Sequence, residues 1–173
     1  MLDSCCRLAC LIALLWVMAC SSNDRAGSPA PTKGLPIPFT GAWTLVSDVE
    51  RHPDGHVTDS YGPSPLGRII YTGDGLMAVQ LMRRNRPAFA NPDHPTFEEM
   101  RQTNGGFHSY YGRYSVNLAD STVTHHVEAS VLPSWIGTDR VRRFRFRGDT
   151  LILETLPVPD DPLITTLRWV RAR

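Results

Sequence analysis

The stretch Tyr110–Arg147, YYGRYSVNLADSTVTHHVEASVLPSWIGTDRVRRFRFR, decides the fold. It divides into three extended runs, Tyr110–Val116, Thr122–Ser130 and Asp139–Arg147. A polar turn at Asn117–Ser121 and an aromatic loop, Leu132–Thr138, separate them. Side chains alternate faces along a strand, so Val123, His125, Val127 and Ala129 share one side of the middle run, opposite Thr122, Thr124, His126 and Glu128. The first set is the more apolar. Burial therefore predicts His125 inside and His126 with Glu128 outside.

Working outward, the same signals recur on both sides. Gly41–Val46 opens a strand, and Pro53-Asp54-Gly55 supplies a turn: proline fixes φ, aspartate bonds the local backbone, and glycine accepts a left-handed conformation. A short strand follows around His56–Ser60. Leu66–Thr72, the Gly73-Asp74-Gly75 turn and Leu76–Met82 form a hairpin, with Asp-Gly set between apolar runs. Downstream of Arg147, a Gly148-Asp149 turn leads into Thr150–Leu156, and a loop at 157–162 leads into Leu163–Val170. The connection Arg83–Phe107 is polar and proline-rich. Within it, Thr96 and Glu99 match a capping box for a short helix over Thr96–Asn104, which Gly105-Gly106 ends. A connection of this length is either a functional lid or a solvated insertion covering one end of the fold. The expected class is all-β: eight to nine antiparallel strands in an up-and-down barrel, which closes because closure removes exposed strand edges, with one short helix in a long connection.

Composition limits the function. The chain has 173 residues, 42% of them hydrophobic and 20% charged, with a net charge of +1. This balance argues against a nucleic-acid binder, which carries a clustered basic excess. All four cysteines (Cys5, Cys6, Cys10, Cys20) fall in the first twenty residues, so the body offers no disulfide, thiol nucleophile or cysteine metal site. Leu8–Ala19 is an apolar run of signal-peptide length. With Val17-Met18-Ala19-Cys20 it resembles a bacterial lipoprotein signal, which implies a leader over 1–19 and lipidation at Cys20. The alternative is an ordinary secretory signal cleaved near Ala19. Ser21–Pro38 is rich in Ser, Pro and Gly and reads as a tether, making 20–38 the lipidated cysteine with its linker and 39–173 the barrel domain. The resemblance places the protein at the bacterial cell envelope on a lipid anchor. The serines after Cys20 imply the outer membrane where the host has two.

Motifs in the body resemble a known family. Gly41-x-Trp43-x-Leu45-x-Ser47, Asp54-Gly55, Gly67-x-x-x-Tyr71, Asp74-Gly75-x-Met77, Tyr111-x-x-Tyr114, His125-x-Val127 and Trp135-x-Gly137-Thr138 are similar, in order, to the lipocalin-like domain family. The resemblance spans nearly all of 39–173. It implies a lipocalin-type barrel with room for a small molecule, and it carries no agreed catalytic set. Trp43 is then the residue that plugs the closed end.

From the residues themselves, a polar cavity assembles from Tyr71, Gln80, Tyr114 and His125, with Trp135 at its mouth. Three roles remain open for His125: a core histidine satisfied by a tyrosine, an anchor orienting a mostly apolar ligand, or a general acid or base. No nucleophile or carboxylate is in register with it, so no catalytic residue is assigned. His126 and Glu128 supply two metal ligands where a stable site needs three or four, and His52, His56, His94 and His108 are read as scattered in turns and loops, so no metal and no cofactor are expected. Arg143, Arg145 and Arg147 form an outward basic stripe facing either anionic head groups or nearby acids such as Glu154, while Phe144 and Phe146 point to the core. The leading expectation is a membrane-anchored protein that holds a small apolar ligand. The alternatives are a cofactor-independent isomerase or cyclase in which His125 or Tyr114 moves a proton, and a ligand-free structural module of the envelope.

Overall fold

The computed structural model describes residues 38–158 and 162–173. The leader, Cys20 and the tether through residue 37 lie outside the described residues. Among those described, nine strands run in chain order: β1 (Gly41–Arg51), β2 (Val57–Thr58), β3 (Leu66–Tyr71), β4 (Leu76–Met82), β5 (Phe107–Asn117), β6 (Thr122–Ser130), β7 (Asp139–Arg147), β8 (Thr150–Thr155) and β9 (Ile164–Arg171). Each strand from β3 onward pairs antiparallel with the next, and β1 pairs with both β3 and β9. Eight strands thus close on themselves, and β2 is a short flap on the end of β1. The expected up-and-down barrel is borne out, and so is the helix in the long connection. Helix α1 (Phe97–Gly105) starts at Thr96, whose hydroxyl accepts from the Glu99 amide while the Glu99 carboxylate accepts from the Thr96 amide.

Two irregularities shape the barrel. Between Leu45 and Ser47 the β1–β9 register slips by one residue, which bends β1 so that its first half can also serve β3. Between Tyr111 and Gly112 the β5–β6 register slips as well, leaving Glu128 as the extra residue. Gly112 is required there: a Cβ would lie 2.0 Å from the His126 carbonyl oxygen.

The hairpin turns at 73–75, 117–121 and 148–149 gather at one end of the barrel, together with Phe39 and the end of β9. The Trp43 indole donates to the Phe39 carbonyl at 2.9 Å. Phe39 meets Tyr71, Phe144 and Phe146 edge-on, with centroids 4.8–5.4 Å apart. Arg171 lies over the Trp43 ring at 4.2 Å and donates to the Thr40 and Pro38 carbonyls, clamping the start of the domain to its last strand. This end is plugged. The long connections 83–106 and 131–138 lie at the other end.

Candidate functional site

β6 carries His125 into the barrel, where it is 1% exposed. Its Nε2 lies 2.7 Å from the Tyr71 hydroxyl on β3, and its Nδ1 lies 2.8 Å from the Tyr110 hydroxyl on β5. Burial is the main force holding its pKa down, to about 3, and the Arg142 charge acts in the same direction, so the ring is neutral. A neutral imidazole has one donor and one acceptor. One tyrosine therefore donates to it and the other accepts from it, and the accepting phenol keeps its own O–H for a third partner. Burial raises the pKa of both phenols, so both are protonated at neutral pH.

The remaining sequence candidates separate. Tyr114 packs against Tyr71 at 4.7 Å, but its hydroxyl donates to the Thr72 carbonyl at 2.9 Å rather than to His125. Trp135, in a short 3₁₀ turn (Pro133–Trp135), does reach the interior group, with His108 at 4.5 Å and Tyr110 at 5.5 Å between ring centroids. Gln80 does not belong to the cavity. It faces outward on β4, whose inner positions are Met77, Val79 and Leu81. Leu76–Met82 is apolar on both faces, so alternation alone could not choose between them. Gln80→Ala is expected to change the unfolding free energy, measured by urea denaturation, by no more than about 0.5 kcal/mol, and a larger loss would place this side chain in the interior after all.

His108 also needs correcting. It lies within β5, buried and facing inward, rather than in a loop. The strand begins at Phe107, directly after the Gly105-Gly106 stop, so the loop reading ended too late.

Sequence reasoning missed three further interior residues. Inward positions on β7 are Arg140, Arg142, Phe144 and Phe146. Period-two alternation puts both arginines on the face of the phenylalanines, but a charged side chain is usually assumed to face water. Asp48 on β1 is 1% exposed with its Oδ1 unpartnered. Burial, together with the charges of Glu50 and Asp59, raises its pKa to about 7.

On the outside, Arg143, Arg145 and Arg147 are exposed as a stripe, and the first two share Glu154 at 4.0 and 3.5 Å. His126 is held by Asp139 at 2.7 Å and Ser115 at 2.9 Å, while Glu128 leans toward Arg113 at 3.7 Å, so His126 and Glu128 do not converge on one point.

An eight-stranded up-and-down barrel, plugged by aromatics at one end and lined with buried polar groups toward the other, is a small barrel of the lipocalin type. The sequence narrows this further. The lipocalin-like domain family matches residues 40–172, and the chain belongs to it. The 4'-hydroxy-3'-methoxypropiophenone carrier protein of Aspergillus oryzae is 34% identical over 88 residues, which cover 46% of this chain and 79% of that protein. A lipocalin-like protein from Bacteroides uniformis, known from a crystal structure, aligns over 78% of this chain and 99% of its own, with a TM-score of 0.42 and 12% identity.

Proposed function

We propose that the barrel binds one small, mostly apolar molecule and holds it at the cell envelope, with a lipidated Cys20 as the anchor. The carrying observation is the Tyr71–His125–Tyr110 chain: an apolar interior with one phenolic O–H left over is the arrangement of apolar walls and few placed polar groups that ligand sites use. The carrier name of the A. oryzae relative supports a binding role, and its stated cargo is an aromatic ketone. The isomerase or cyclase alternative draws less support. His125 is pinned between two phenols with its pKa near 3, far from the range a general base needs at neutral pH, and the Tyr114 proton is committed to a backbone carbonyl. On a tethered domain the arginine stripe would lie within reach of a bilayer, where each basic residue adds about 1 kcal/mol at an anionic surface.

Native mass spectrometry of the full chain, extracted gently from its host, tests this reading. A stoichiometric small molecule released on denaturation is the expected result. An empty protein showing no thermal shift with a host lipid extract would overturn the binding role. Recovery of the wild-type chain in the soluble fraction, as for Cys20→Ser, would overturn the anchor.

A further inference from the structure

The two inward arginines of β7 have no explanation in the apolar-ligand reading alone. Their outward neighbours Arg143 and Arg145 find Glu154, but no carboxylate among the described residues lies within salt-bridge distance of Arg140 or Arg142. Arg142 instead donates to the Val141 carbonyl at 3.1 Å and hydrogen-bonds the Tyr110 hydroxyl, while Arg140 lies over the Trp135 ring. Burial first, and then the Arg142 charge, lowers the pKa of Arg140; burial and then both arginine charges lower that of His108. Half-buried like charges without a counter-ion are unfavourable, and an anion with its own hydrogen-bond acceptors relieves them.

The unsatisfied atoms mark where such an anion belongs. The Arg140 Nε and the His108 Nε2 are both buried without a hydrogen-bond partner, and His108 is 8% exposed. Between them stands an aromatic wall: the Trp135 ring lies 4.0 Å from the Arg140 guanidinium and meets His108 edge-on. Tyr110 closes the inner side and hands the site on to His125. The outer surface also carries an arginine-lined groove, formed by Arg83, Arg86 and Arg101, but Arg83 and Arg101 are exposed, Arg101 already holds Glu98, and Arg86 donates to the Thr103 carbonyl and lies over the Phe107 ring.

We infer that the end of the barrel opposite the aromatic plug recognises a small aromatic anion, a carboxylate or ionised phenol on a flat ring, with Arg140 and Arg142 taking the charge and Trp135 and Tyr110 flanking the ring. The inference rests on the binding reading above and specifies the ligand class. A planar oxyanion matches the forked donors of a guanidinium, and a ring beside it gains the stacking that the indole already shows against Arg140. A neutral ligand of the same shape leaves both cations unpaired.

The test uses the full chain in detergent and a matched pair of probes, 2-naphthoate and 2-naphthamide, followed by calorimetry and by quenching of tryptophan fluorescence. Naphthoate is expected to bind about tenfold or more tightly than naphthamide, the scale of a charge-assisted hydrogen bond. In Arg140→Gln/Arg142→Gln that preference should vanish, the ratio of the two affinities falling to about one. Arg140→Lys/Arg142→Lys should retain part of it, and the outward pair Arg143→Gln/Arg145→Gln all of it. Circular dichroism establishes that each variant is folded, and the lysine pair carries the comparison should the glutamine pair not fold. Equal binding of the two probes to wild type, or a preference that persists undiminished in the inner double variants that fold, would overturn anion recognition while leaving the apolar-ligand reading intact. Failure of both probes alongside a thermal shift with host lipid extract would also overturn only the anion. Failure of both with no shift would overturn both readings.

Discussion

Replacing His125 with leucine is expected to lower the unfolding free energy by about 2–6 kcal/mol at pH 7.5. The estimate is the sum of two buried phenols, Tyr71 and Tyr110, each losing its partner at about 1–3 kcal/mol. Leucine approximates the imidazole volume, so a cavity contributes little. Urea denaturation measures the loss directly, and a change below about 1 kcal/mol would show that the phenols find other partners.

The same variant should alter how stability depends on pH. His125 holds a folded-state pKa near 3, below the ordinary 6.5, so the unfolded chain binds the extra proton and stability falls as pH drops from about 6.5 toward 3. The lowered pKa of His108 acts in the same sense. Asp48 works the other way. Its folded-state pKa is near 7 against an ordinary 3.8, so the folded chain keeps the proton and stability falls as pH rises from about 4 to 7. Across roughly pH 4–6.5 the slopes of Asp48 and His125 oppose each other, each of order 1 kcal/mol per pH unit. Wild type should therefore be nearly flat in that window. His125→Leu should lose stability with rising pH, and Asp48→Asn with falling pH. Above pH 7 Asp48→Asn should exceed wild type by roughly 1–3 kcal/mol, because it removes a buried charge with an unpartnered oxygen. Parallel pH profiles for all three proteins would refute the opposition.

Gly112→Ala is the second large effect, a loss of about 4 kcal/mol or more. Its φ is not in the left-handed region, so the argument is purely steric: the added methyl would sit 2.0 Å from the His126 carbonyl oxygen and 2.9 Å from the Glu128 amide nitrogen, both backbone atoms. Neither can rotate away. The β5–β6 pair must separate or shift register, and a one-residue shift would turn His125 outward and His126 inward. Denaturant unfolding, or the fraction of soluble protein where the variant fails to fold, reads the effect. A loss under about 1 kcal/mol would mean the bulge can flatten without harm.

Much of the fold was written in short-range chemistry. Asp74-Gly75 and Gly148-Asp149 mark hairpin turns because a glycine at each accepts positive φ. Thr96 with Glu99 starts a helix because each side chain satisfies the other's exposed amide. Strand alternation placed His125, Phe144 and Phe146 inside and Arg143, Arg145 and Arg147 outside. These signals fail where both faces carry similar side chains, as in Leu76–Met82, and where an expectation about charge overrides the period, as at Arg140 and Arg142.

The sequence by itself determined where this chain turns, which runs are extended, and that an antiparallel barrel is the way to bury them, since turn geometry and side-chain period are local properties. Only the tertiary structure decided which polar groups meet. Closure of β1 on β9 and the bulges at Val46 and Glu128 set the register between strands far apart in the chain, bringing Tyr71, Tyr110 and His125 within hydrogen-bond reach across 54 and 15 residues. The same register leaves Arg140, Arg142 and Asp48 inside without charged partners among the described residues, because that juxtaposition depends on how the closed sheet is staggered rather than on any residue's own preference.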